Sequence, residues 1–268
     1  MPDIVMPDAP YDSEEMMTVA AARALKNGDV CFVGIGLPST AANLARLTEA
    51  PDVVLIYESG CIGAKPDILP LSIGDSELVE TADVVVSVPE IFRYWLQGGK
   101  IDVGFLGAAQ LDRFGNINTT VVGDYGAPKV RLPGAGGAPE IATNSGEVFI
   151  TLRQTTRTFV EKPDFITSAG YLTGGDARAK LNLPGRGPTR VFSDLGILEP
   201  DPVTKELTMV SLHPGVTADQ ARAATGWALK IRPDCGTTPA PTAFELDILR
   251  DMKARAARAH SRSNALSA

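Results

Sequence analysis

Glu58 stands directly after five apolar residues, Val53-Val54-Leu55-Ile56-Tyr57, and directly before Ser59-Gly60. Such a run reads as a buried strand, and the turn after it opens at the carboxyl edge of the sheet, where ligands bind in open α/β folds. A carboxylate there can act as a nucleophile or an acid–base group; burial raises its pKa and neighbouring N–H donors lower it. The plain alternative is a solvated turn glutamate. Gly34-Ile35-Gly36-Leu37-Pro38 is a second candidate, because two glycines let the backbone pass close to a partner ahead of a helix start. Position 39 is Ser where a dinucleotide fingerprint needs Gly, and no Walker lysine follows, so an ordinary strand-to-helix turn stays open. The third is Pro133-Gly134-Ala135-Gly136-Gly137-Ala138-Pro139. Its exposed amides suit a pyrophosphate, a thioester or an oxyanion, and a flexible surface loop is the alternative.

Counting excludes other chemistries. Of the two histidines, His260 lies in a polar tail and leaves His213 as the one within the fold. A His-rich metal site is therefore excluded, and a lone imidazole ahead of Pro214-Gly215 reads first as structural. Cys31, Cys61 and Cys235 are odd in number and far apart, which fits neither a disulfide framework nor a zinc knuckle. They are expected to be reduced thiols in a cytoplasmic protein. Chemistry is left to carboxylates, backbone amides or a cofactor. Asp112-Arg113-Phe114-Gly115-Asn116 reads as a turn. The aromatics of Ile91-Phe92-Arg93-Tyr94-Trp95-Leu96 read as core or subunit contact before a ligand box.

The elements that position these residues alternate along the chain. Strands are expected over 30–33, 53–57, 83–88, 101–106, 118–122, 147–152, 157–160, 189–194 and 206–212. Helices are expected over 16–26, with a start at Ser13-Glu14-Glu15, and over 40–47, 90–97, 217–225 and 242–259. Strands apolar on both faces, interleaved with helices, predict one α/β domain with a mostly parallel, mixed sheet covered by helices on both faces. The expected division is an arm over 1–12, the domain over 13–260 and a disordered tail over 261–268. Lys and Arg number 25 against 32 Asp and Glu, a net charge of −7 that argues against a nucleic-acid partner. The 44% hydrophobic content excludes disorder for the body. No apolar run reaches the roughly 18 residues of a membrane span, and the acidic N-terminus lacks the pattern of a signal peptide.

Seven segments in register resemble the B (β) subunit of family I CoA-transferases. They are Gly34-Ile35-Gly36-Leu37-Pro38, Tyr57-Glu58-Ser59-Gly60, Ile62-Gly63-Ala64-Lys65-Pro66, Phe105-Leu106-Gly107-Ala108-Ala109-Gln110, Asp112-Arg113-Phe114-Gly115-Asn116-Ile117-Asn118, Gly134-Ala135-Gly136-Gly137 and Ser211-Leu212-His213-Pro214-Gly215. The resemblance covers about residues 16 to 231. The Glu-Ser-Gly form is similar to the branch acting on 3-oxoadipate in catechol degradation, with the glutaconate branch a near competitor; many 3-oxoacid transferases carry Glu-Asn-Gly instead. The resemblance implies a NagB-RpiA-like fold and Glu58 as the catalytic nucleophile. It implies ping-pong transfer of CoA from succinyl-CoA through a glutamyl-CoA thioester, and a partner A subunit in a heterodimer or heterotetramer. It places Gly134, Gly136, Gly137 and Ala138, with Gly34 and Gly36, by the thioester, the CoA and the oxyanion. CoA is then a substrate, and neither a metal nor a resident cofactor is expected. A CoA-ester hydrolase on the same scaffold, or a structural subunit whose partner holds the chemistry, are the rival readings.

Overall fold

The structure, a computed structural model, describes residues 10–266. Helix α1 (Ser13–Ala22) starts behind a reciprocal capping box between Asp12 and Glu15. The chain then forms β1 (Val30–Val33), α2 (Leu37–Leu47), β2 (Val54–Ile56) and β3 (Cys61–Ile62). After α3 (Ser76–Glu80) come β4 (Val84–Val85), one helical turn α4 (Val88–Glu90), a π-helix over Ile91–Leu96, and β5 (Val103–Gly107). Two small hairpins follow: β6 (Gln110–Leu111) with β7 (Ile117–Asn118), and β8 (Val121–Gly123) with β9 (Pro128–Arg131). The rest is α5 (Ala138–Asn144), β10 (Glu147–Thr151), α6 (Ala177–Lys180), β11 (Pro188–Phe192), β12 (Gly196–Pro200), β13 (Leu207–Leu212), α7 (Ala218–Ala223), β14 (Lys230–Thr237) and α8 (Ala243–Leu266).

Ten strands make one sheet in the order β14-β13-β12-β11-β10-β5-β1-β2-β3-β4. The centre, β11-β10-β5-β1-β2, is parallel, and antiparallel strands flank it, so the sheet is mixed as the sequence predicts. Side chains alternate between two apolar layers, as a strand's two-residue period requires. Cys31, Val33, Leu55, Tyr57 and Phe105 pack beneath α1, α2 and α8, while Phe32, Ile56, Leu106 and Val148 pack beneath the π-helix, α5 and α7. Ion pairs join the two ends of the chain across the first layer. Arg250 of α8 reaches Glu15 of α1 at 2.7 Å, and its guanidinium holds the Glu15 carboxyl below the usual carboxylate range. Arg23 reaches Glu245 at 2.6 Å.

Several local expectations are corrected. The strand over 157–160 is a turn touching Leu111 through one isolated bridge at Phe159. Threonine hydroxyls outcompete pairing there: Thr158 Oγ1 donates to the Arg153 carbonyl, and Thr155 N–H donates to Thr158 Oγ1. The strand over 118–122 breaks in two because Asn118 Oδ1 accepts from Thr120 N–H at 2.9 Å, an Asx turn. The strand over 83–88 shortens to β4, since Ser87 and Glu90 form a capping box that starts a helix. The helix over 90–97 is mainly π rather than α. The tail expected from 261 begins inside α8, which runs to Leu266 through an Ala- and Arg-rich stretch without Gly or Pro. Of the expected arm, residues 1–9 lie outside the described residues, and the Pro10 carbonyl accepts from Arg250.

His213 is structural, as its setting suggests. The residue is 1% exposed, and its Nε2–H donates to the Ser193 carbonyl at 2.8 Å. It lies just past β13, six strands from β2, or roughly 29 Å at ordinary strand spacing. Burial pushes its pKa down to about 4 from 6.5. The unfolded chain takes up this proton near pH 6.5 and the folded chain only near 4, so stability falls as pH drops through that window. Between pH 7 and pH 5 the expected loss from this residue is about 2 kcal/mol. Urea unfolding of wild type and His213→Gln at both pH values checks it: the variant should show a shallower acid slope, and equal slopes would refute the assignment.

Candidate active site

The carboxyl ends of the central parallel strands converge on one sheet edge, and Glu58 sits there. Its backbone belongs to a tight turn between antiparallel β2 and β3. Tyr57 N–H donates to the Cys61 carbonyl and Gly60 N–H to the Tyr57 carbonyl, each at 3.0 Å. Gly60 makes the turn possible. Its φ is +105°, and a Cβ there would run into the Val86 carbonyl oxygen. Val86 N–H in turn donates to the Gly60 carbonyl, so β4 lies against the turn.

Tyr57 anchors this turn from below. The side chain is fully buried; its hydroxyl lies 3.0 Å from Ser39 Oγ and accepts from Asn43 Nδ2 at 3.2 Å. Burial raises the phenol's pKa, so it stays neutral. Ser39 and Asn43 belong to α2, whose N-cap is Gly36, so the second glycine segment and the Glu58 turn are bolted together. The Phe32–Ile56 pairing of β1 with β2 brings Gly34 level with Glu58 two residues further on. Gly34 packs against the Phe105 carbonyl and Pro38, whereas the Gly36 α-carbon faces open space. The structure brings neither glycine into close contact with the Glu58 carboxyl as it does the third segment.

That third segment closes over the carboxyl. A methyl group on Gly137 would lie 3.3 Å from Glu58 Cδ, and one on Gly136 would lie 3.8 Å from Oε2. On its other side the Gly137 methyl would meet Phe92 Cζ at 2.5 Å. The backbone therefore fits between carboxyl and ring only without a side chain. Glu58 is half-buried, and among the described residues neither a hydrogen bond nor an ion pair engages its carboxylate.

The flanking positions have a different part. Gly134 N–H donates to the Thr119 carbonyl at 2.9 Å, Thr119 Oγ1 donates to the Gly134 carbonyl at 2.8 Å, and Ala138 N–H donates to the Ala135 carbonyl at 3.0 Å. The amides of Gly134 and Ala138 are thus engaged within the loop. Among the described residues no acceptor engages the Gly136 or Gly137 N–H.

Two supports carry no clear signal in the sequence. Arg178, 5% exposed, holds the far end of α5. Its guanidinium donates to the carbonyls of Ala142 at 2.8 Å, Thr143 and Gly170 at 3.1 Å each, and Gly185 at 2.7 Å. Last-turn carbonyls carry the helix's partial negative charge and take the place of a carboxylate. Phe92 stands in a segment marked as aromatic, but nothing in its spacing singles it out from Tyr94 and Trp95.

Comparisons with known proteins identify the family. A family model described as Coenzyme A transferase matches residues 14–224. The B subunit of the 3-oxoadipate CoA-transferase of Pseudomonas knackmussii is 66% identical over 250 residues, covering 93% of this chain and 96% of that one. The B subunit of the glutaconate CoA-transferase of Acidaminococcus fermentans is 36% identical, covering 82% and 85%. The crystal structure of glutaconate coenzyme A-transferase from the same organism matches with a TM-score of 0.84 at 33% identity, covering 90% of this chain and 94% of that one. A match across most of its length, on a sheet whose edge presents a free carboxylate, means that this chain belongs to the coenzyme A transferase family.

Proposed function

We propose that the chain is the B subunit of a transferase that moves CoA from succinyl-CoA to 3-oxoadipate, with Glu58 as the nucleophile. The observation that carries this is the unengaged Glu58 carboxylate facing the bare Gly136–Gly137 backbone. The 3-oxoadipate preference is supported by the 66% identity to a 3-oxoadipate CoA-transferase, against 36% for the glutaconate enzyme. It would place the protein in the degradation of aromatic compounds, with the cytoplasm as its proposed location.

The steps balance without net proton transfer. A Glu58 oxygen attacks the thioester carbonyl of succinyl-CoA, the C–S bond breaks, and a mixed anhydride forms as CoA thiolate leaves. The thiolate attacks Glu58 Cδ, forming a glutamyl-CoA thioester and releasing succinate. The 3-oxoadipate carboxylate then attacks Cδ and expels the thiolate, which attacks the acyl carbonyl of the new anhydride and frees Glu58. Covalent catalysis thus divides one hard exchange into near-isoenergetic steps. Each step passes through an oxyanion, and the open amides of Gly136 and Gly137 suit it, one such donor being worth about 3–4 kcal/mol. Gly34 and Gly36, at the same edge, are proposed to border the path of the CoA chain, with Gly134 and Ala138 fixing the loop. The buried strand ending at Tyr57 supplies a dry floor.

The proposed A subunit would complete the site. Val84 and Val85 of β4, and Val88 just after it, are exposed on the segment that lies against the Glu58 turn, an apolar surface that suits burial by a partner. The purified chain alone should therefore turn over no substrate; turnover equal to that of the co-expressed complex would contradict the division.

Glu58→Ala in the complex should lose at least about 10³-fold in transfer, or roughly 4 kcal/mol. More than a tenth of wild-type activity would refute the role. Succinyl-CoA without acceptor should leave a CoA adduct on Glu58, seen by mass spectrometry; steady CoA release with no adduct would indicate a hydrolase. Gly137→Ala should assemble normally yet lose about a hundredfold or more in kcat, because its methyl presses on both Phe92 and Glu58. An acceptor screen with 3-oxoadipate and glutaconate decides the substrate.

A further inference from the structure

We propose that Phe92 is the wall that keeps water from the Glu58 carboxyl carbon, so that the acylated enzyme waits for its acceptor instead of hydrolysing. This rests on the reading of Glu58 as the acylated residue. Three observations lead to it. The Phe92 ring edge and Glu58 Cδ approach the same point: a Cβ on Gly137 would stand 2.5 Å from Phe92 Cζ and 3.3 Å from Glu58 Cδ. The ring is backed by the buried Phe32 of β1, centroids 5.8 Å apart and planes tilted by 52°. And Phe92 is half-buried, packed against the apolar layer that holds Phe32 and Ile56.

The π-helix is what presents it. Ile91 and Leu96 are both fully buried, although five residues apart. In α-helical geometry they would point about 140° apart. The wider turn brings both into the core, with i+5 bonds from Gln97 N–H to the Phe92 carbonyl at 2.8 Å and from Lys100 N–H to the Trp95 carbonyl at 2.9 Å. Gln97 Nε2 also donates to Glu140 of α5 at 3.3 Å, so the ring and the glycine loop share one frame.

The reaction Phe92 suppresses is water adding to Cδ of the glutamyl-CoA thioester. The Cδ–S bond breaks, CoA leaves as the thiol, and Glu58 returns as carboxylate with release of one proton. Acceptor carboxylate and water compete for the same carbon, so an apolar wall that excludes the smaller competitor decides the partition.

The test uses the complex with its partner subunit, loaded with succinyl-CoA and no acceptor. Adduct lifetime is read by intact-protein mass spectrometry and CoA release by a thiol reagent. Phe92→Ala should form the adduct but shorten its lifetime about tenfold or more. Adding 3-oxoadipate should still give transfer, with a raised ratio of hydrolysis to transfer. A general loss of activity at an unchanged ratio, or a wild-type lifetime, overturns the proposal. Should the alanine variant fail to assemble, Phe92→Leu and Phe92→Val carry the test, with lifetimes falling in the order Phe, Leu, Val. Absence of any adduct in the wild-type complex sinks the Glu58 reading itself; a wild-type adduct that Phe92 variants do not shorten sinks only this one.

Discussion

One α-carbon, that of Gly137, stands between a carboxyl group and an aromatic ring with room for no side chain. The surrounding structure is organised to hold that approach. From one side the β2–β3 turn presents Glu58, and the buried Tyr57 hydroxyl ties this turn to α2. From the other, the π-helix presents Phe92. Between them runs the loop into α5, pinned at Thr119 upstream and by Arg178 at the helix's far end. The Gly104 backbone on β5 extends the same tight fit, since a Cβ there would meet Ile141 and Ser145 of the α5 segment at 2.5 Å. Packed interiors transmit such constraints because they have little free space to absorb a shift.

Arg178 shows how a charge can serve this purpose without a counter-charge. Burial lowers its pKa, yet its partners are all backbone carbonyls. A carboxylate in their place would tie Arg178 to one side chain. Carbonyls from three chain segments let one planar group fix α5 to the segments at Gly170 and Gly185.

What is legible in the sequence follows from which physical signals are local. The strand ending at Glu58 is readable because five apolar residues in a row fit a doubly covered strand, and the break at Glu-Ser-Gly fits a turn. The glycine loop is readable by composition. That the two meet is not, since Gly137 lies far along the chain and only the sheet order brings the loop ahead of α5 to the Glu58 turn beyond β2. Helix α5 itself escapes such a reading, its Pro139 and Thr143 being weak helix signals, as do β12 and β14, whose polar residues mask their pairing. The π-helix has no sequence signature that separates it from an α-helix of the same residues, so the spacing of Ile91 and Leu96 becomes intelligible only with the turn in view. The threonine and asparagine interruptions at 155–158 and 118–120 are side-chain competition for backbone groups, which residue propensities average away.

Both outer strands of the ten-stranded sheet are poor templates for another strand. β4 spans two residues and is followed at once by the Ser87–Glu90 cap, with Asp83 just ahead of it paired to Lys65 at 2.8 Å. β14 is longer, but Pro233 removes an N–H from its middle, and Arg232 and Asp234 hold each other beside it at 2.6 Å. Blunted rims of this kind prevent edge-to-edge growth into aggregates. They also restrict how a companion chain can dock: it has to cover side chains, as a lid covers a box, and cannot lengthen the sheet.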